Sequence, residues 1–88
     1  MQIINKDLTV EEFDKNKIIL NISKIANMNE IKLSDVELNY IMNSITSVIK
    51  GYSKKDRLSY ETLHRIIVLT LEEYNLNLAM KYEKYYNN

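Results

Sequence analysis

His64 is the single histidine of the chain, and there is no cysteine. Those two facts close most routes to catalysis. A multi-histidine or thiolate zinc centre lacks its ligands, and a thiol nucleophile or disulfide lacks its sulfur. A glycine-rich phosphate loop needs several glycines, and Gly51 stands alone. Carboxylate pairs occur at Glu11-Glu12 and Glu72-Glu73. Adjacent positions on a helix point apart, so Glu72-Glu73 reads as solvated surface. No motif marks His64 as half of a His-Ser or His-Asp pair. The chemistry left is a diffuse anion site built from Lys6, Lys17 and His64. Exposed amides at a helix N-terminus favour phosphate, and lysine adds a point charge. On spacing alone, solvated lysines and an ordinary surface or capping histidine are the stronger reading. The residues point to a binding module and not to an enzyme.

The elements that must hold these groups are readable from periodicity and caps. Ile3-Ile4 and Val10 to Phe13 flank the polar Asn5-Lys6-Asp7 and predict a short β-hairpin, with its turn near Lys6 to Thr9. Asp14 is a good N-cap for a helix over 15–27. Ile18, Ile22, Ile25 and Ala26 mark its buried face, with Lys17, Asn21 and Lys24 as a separate polar stripe. Ser34 and Glu37 form a capping box that opens a second helix. Its apolar face is Leu38, Ile41, Met42, Ile45, Val48 and Ile49, and Gly51 is expected to end it. A polar loop is expected over 51–58. Ser59 caps a third helix, with Glu61 in its first turn and Leu63, Ile66, Ile67, Thr70 and Tyr74 inward. A break near Asn75 leads to a fourth helix, where Leu78, Ala79, Tyr82, Tyr85 and Tyr86 share a face. The expected fold is α+β and mostly α, a short N-terminal β-hairpin followed by a four-helix bundle.

The chain has 88 residues, enough for one small domain. Hydrophobic residues are 45% and charged residues 27% of it, which suits a soluble globular protein. Formal net charge is zero; residues 1–44 hold five Lys/Arg against seven Asp/Glu, and residues 45–88 hold seven against five. Neither half has the excess that phosphate neutralisation on a nucleic acid demands. The basic run Lys54, Lys55, Arg57 is interrupted by Asp56 and reads as a solvated loop. A DNA-binding protein with Leu58–Thr70 as recognition helix is a further reading. Zero net charge and Glu61 near that helix's start weigh against it. No segment approaches the ~20 apolar residues of a membrane span. The N-terminus lacks a signal-peptide core, so a cytoplasmic location is expected.

The order of residues adds a resemblance. Ile3-Ile4-Asn5-Lys6-Asp7-Leu8-Thr9-Val10-Glu11-Glu12-Phe13-Asp14-Lys15-Asn16-Lys17-Ile18 resembles the opening of the ATP-cone domain. That opening is a hydrophobic pair, Lys-Arg-Asp-Gly, then Glu, Phe, Asp or Asn, and Lys-Ile at matching distances. Leu58-Ser59-Tyr60-Glu61-Thr62-Leu63-His64 resembles the start of the family's third long helix. Leu78-Ala79-Met80-Lys81-Tyr82-Glu83-Lys84-Tyr85-Tyr86 resembles its Val-Ala-x-x-Tyr-x-x-Tyr-Arg ending. Three pieces in the right order cover almost the whole chain.

The resemblance implies a single cone domain over residues 1–88, without the reductase body or the zinc ribbon that accompany cones elsewhere. It implies binding of ATP or dATP, with Mg2+ as a candidate counter-ion. It also implies allosteric action through a homo-oligomer or a protein partner, as in the control of ribonucleotide reductases and of the repressor of their genes. Carried over by position, Ile3 and Ile18 lie near the base, and Glu11 and Asp14 read the adenine edge. Lys6 and Lys17 contact phosphate, and Tyr60 and His64 face ribose or phosphate. The chain departs from the pattern at several points. Asn5 stands where a basic residue is usual, Lys6 replaces Arg, Leu8 replaces the hairpin Gly, Asn21 replaces a small Ala and Tyr86 replaces a final Arg. Those changes leave one positive charge fewer and remove a bidentate phosphate contact. They favour an alternative in which a degenerate cone serves as an interaction module without nucleotide.

Overall fold

The computed structural model describes residues 1–52 and 56–86. Lys54 and Lys55 lie outside them. The elements run β1 (Gln2–Ile4), β2 (Val10–Glu12), α1 (Lys15–Met28), α2 (Asp35–Tyr52), β3 (Arg57–Ser59), α3 (Tyr60–Tyr74) and α4 (Leu76–Tyr86).

The expected hairpin is present, and its turn is built from short polar side chains. The Asn5 amide donates to the Thr9 carbonyl at 2.8 Å, and the Leu8 amide donates to the Asn5 carbonyl at 2.9 Å. Asp7 Oδ1 accepts from the Thr9 amide at 3.0 Å and from Thr9 Oγ1 at 2.6 Å. Those bonds hold the Asp7 carboxyl below its ordinary value. Leu8 sits in the left-handed region at φ 69°. A Cβ makes that region unfavourable, so the local bonds of Asp7 and Asn5 must hold it there.

The expectation of a two-stranded unit is corrected. β1 is the centre of a three-stranded sheet ordered β2-β1-β3. It pairs antiparallel with β2, Ile3 opposite Glu11, and parallel with β3, Ile3 opposite Leu58. The polar loop expected over 51–58 therefore contains a strand whose Leu58 is buried. A parallel pair needs a crossover, and here α1 and α2 supply it. Gly51 does not end the second helix, which runs on through it to Tyr52. Glycine costs a helix only about 1 kcal/mol, and among the described residues no atom outside its own helix stands near the position of a Cβ there.

The helix caps follow the sequence. Asp14 Oδ1 accepts from the amides of Asn16 and Lys17. Ser34 and Glu37 exchange backbone-to-side-chain bonds at 3.0 and 3.1 Å. Ser59 Oγ accepts from the Thr62 amide. Asn75 separates the last two helices: its amide donates to the Leu71 carbonyl, and its Oδ1 accepts from the Leu78 amide. One side chain thus lets one helix stop and the next begin.

The core is apolar, and no polar or charged side chain is buried among the described residues. α1 contributes Ile18, Ile22, Ile25 and Ala26, as the periodicity predicts. α3 packs on α2 and α4, and α1 packs on the same two helices. Val48, expected inward, is 40% exposed at the edge of the α2 face, and Tyr85, expected to share the α4 face, is 42% exposed. Thr70 and Tyr74 are half-buried, while Val68 and Leu71 take fully buried places on α3.

Glu37 does more than close its own cap. Its Oε2 accepts a hydrogen bond from the Tyr74 hydroxyl, tying the start of α2 to the end of α3. The Tyr74 bond, then those from Ser34, hold the Glu37 carboxyl below its ordinary value. A depressed carboxyl stabilises the fold at pH above its unfolded value, and that stability is lost as pH falls through the folded value. Glu37→Gln should therefore unfold with a shallower acid dependence below about pH 4.5 than the wild type, read as urea midpoints across pH. Parallel acid limbs would refute the assignment.

Candidate functional site

Two adjoining cavities open between the hairpin and the helices, of about 660 and 230 Å³. The hairpin lies on one side because β1 is fixed in the sheet. α3 starts directly after β3, so Ser59 places Tyr60 and His64 beside that hairpin. Tyr60, His64 and Tyr86 line both cavities and form the boundary between them.

That boundary is a file of rings. Tyr60 and His64 are one turn apart on α3, as are Tyr82 and Tyr86 on α4, and the two pairs meet end to end at His64 and Tyr82. Ring centroids are 6.1 Å apart for Tyr60–His64, 5.8 Å for His64–Tyr82 and 4.7 Å for Tyr82–Tyr86. Tyr85 continues the file edge-on to Tyr86, and Lys24 Nζ lies 5.0 Å from the Tyr85 ring centre. Burial holds the His64 imidazole below its ordinary value; Glu83 opposes this, and Lys6 adds to it. That favours the neutral imidazole, and its Nε2 is buried with no hydrogen-bond partner among the described residues. A buried polar atom left without a partner is costly. The His64 residue lines both cavities.

All eight residues expected at the site line these cavities. Ile3, Glu11, Asp14, Lys17, Ile18, Tyr60 and His64 border the smaller one. Lys6 borders the larger one, with Tyr60 and His64 shared. The two lysines therefore face different compartments. Lys17 Nζ lies 3.6 Å from Glu11 Oε2, and both side chains are well exposed. Asp14 Oδ1 accepts from the second and third amides of α1, those of Asn16 and Lys17. The argument that free helix-end amides attract an anion is thereby corrected: a carboxylate already satisfies them, and any anion there depends on the lysine side chain.

The smaller cavity also draws on Phe13, Asn21, Leu63, Ile67 and Tyr82, which sequence reasoning did not assign to a site. Tyr82 was legible as a core residue, at helical spacing from Leu78 and Ala79, but its place beside His64 depends on how α4 packs on α3. The larger cavity adds Asp7, Glu61, Arg65, Glu72 and Glu83. No group of three or more His, Asp or Glu among the described residues is placed to hold a metal ion. No described helix is long and apolar enough to cross a membrane.

A comparison with curated proteins finds no match. The family model of the ATP cone domain matches residues 1–88. Domains of that family are in general nucleotide-binding regulatory modules that bind ATP or dATP. That match spans the whole sequence given, and the chain belongs to the ATP cone domain family.

Proposed function

We propose that this chain binds ATP or dATP in the paired cavities and acts as an allosteric regulatory module, not as an enzyme. The observation that carries the reading is the unpartnered Nε2 of His64 between two cavities that hold Lys6 and Lys17. The adenine ring would lie in the smaller cavity against Ile3 and Ile18. Glu11 and Asp14 would accept from its amino group. Asp14 Oδ1 is taken by the cap, while its Oδ2 has no partner among the described residues. Ribose and phosphates would pass Tyr60 and His64, with Lys17 on one side and Lys6 on the other. Asp7, Glu61, Glu72 and Glu83 around the larger cavity oppose phosphate charge. Mg2+ carried by the phosphates would offset them.

Output would pass through a homo-oligomer or a protein partner, in a process linked to ribonucleotide reductase control. Leu20, Met80 and Tyr85 are exposed and available for such contacts. The same excess of carboxylates favours a second reading, an interaction module that keeps the fold without nucleotide.

Thermal melting separates the two. A ligand that binds only the folded state adds RT ln(1 + [L]/Kd), about 2.7 kcal/mol at a hundredfold excess over Kd. ATP or dATP at millimolar concentration with Mg2+ should raise the melting temperature, and GTP should raise it less. A midpoint unmoved by any adenine nucleotide would leave the interaction module.

A further inference from the structure

The geometry points to Arg65 as an anion-binding and specificity-determining side chain that faces Lys6 and grips the phosphate chain of the ligand. This deepens the reading of the cavities as a nucleotide site and rests on it. Arg65 stands one residue after His64 on α3 and lines the larger cavity from the helical side. Lys6 lines it from the hairpin. No carboxylate lies within ion-pair distance of either cation among the described residues, whereas Lys17 is paired with Glu11. Asp7 is engaged by Thr9 through its amide and its hydroxyl. Glu61, one turn before Arg65, and Glu72, two turns after it, share its cavity without closing an ion pair with it. Glu83 enters from α4 and raises the His64 pKa.

Two cations without an ion-pair partner among the described residues line the cavity from different walls and present donors to a polyanion from more than one direction. A guanidinium adds what Lys6 lacks, a planar fork that can engage two phosphate oxygens at once. Its contribution grows with phosphate number and vanishes for the bare nucleoside. Arg65 would therefore set the preference for triphosphate over monophosphate, while the smaller cavity sets the preference for the base.

The test is calorimetric titration of adenosine, AMP, ADP and ATP into the wild type and Arg65→Gln, with circular dichroism to verify the fold. Arg65→Gln should weaken ATP binding about tenfold, as loss of one exposed charge-assisted contact does. It should leave adenosine binding unchanged and flatten the rise of affinity with phosphate number. Asn5 lines the same cavity beside Lys6, so Asn5→Lys placed on Arg65→Gln should restore part of the lost ATP affinity. Unchanged ATP affinity in Arg65→Gln, with the wild type binding ATP, would overturn the role of Arg65 and leave the nucleotide site standing. Equal losses for adenosine and ATP would also overturn it, since they report a disturbed scaffold. A wild type that binds none of the four would overturn the nucleotide reading and this inference with it.

Discussion

Tyr82→Ala should cost roughly 3–5 kcal/mol of folding stability, the range for truncating a buried aromatic ring. The ring is 3% exposed and fills the space between His64 and Tyr86. Burial raises its hydroxyl pKa well above the ordinary value, so the phenol stays neutral throughout the working pH range. Removing the ring leaves a void beside His64 and joins the core to the smaller cavity. For a domain whose net stability is of order 5–15 kcal/mol, such a loss takes much of the total. Tyr82→Phe keeps the ring and gives up only the hydroxyl, so its cost should be about 1 kcal/mol or less. Urea unfolding of the three proteins measures both effects. An Ala variant within about 1 kcal/mol of wild type would mean that the ring is not part of the core.

The sequence and the structure agree most closely where the determinants are local. Asp14, Ser34 with Glu37, and Ser59 act on amides two or three residues away, so each cap is written beside the helix it opens. The buried stripe of α1 follows from a 3.6-residue period over one element. β3 was illegible for the opposite reason. Arg57-Leu58-Ser59 holds one apolar residue, and its partner Ile3 lies on the far side of two helices in sequence. Only that long-range pairing makes it a strand. Gly51 shows the weakness of a single-residue stop signal, because neighbouring packing carries the helix past it. Val48 lies at the boundary of a periodic face, where small differences in helix rotation decide exposure.

The site divides along the same line. Residue types alone gave two lysines, one histidine and a weak anion argument. The order of residues, compared with a family pattern, brought eight positions to one region, and the fold gathers them between hairpin and helices. Neither source gave Arg65. It fits no motif, and its significance lies in lining the larger cavity opposite Lys6 with no ion-pair partner among the described residues, which follows from the packing and not from the sequence. Likewise the division of Lys6 and Lys17 between two compartments, and the pairing of Lys17 with Glu11, are properties of packing.

Lys17→Ala is expected to weaken nucleotide binding by about 10- to 150-fold. A hydrogen bond to a charged group contributes about 1.5–3 kcal/mol, which converts to that range. In the free protein Lys17 Nζ rests 3.6 Å from Glu11, with the lysine side chain 61% exposed. An exposed pair of this kind is worth about 0–1 kcal/mol, so a phosphate can draw the ammonium away at little cost. Two of the first α1 amides, those of Asn16 and Lys17, are already held by Asp14. The helix end therefore gives little compensation for loss of the side chain. Fold stability should change by less than about 1 kcal/mol, since only that surface pair is lost. Calorimetric titration of ATP into both proteins, with urea midpoints alongside, separates affinity from stability. Equal ATP affinities would show that Lys17 serves Glu11 and not the ligand, and the phosphates would then belong wholly to the Lys6 side of the site.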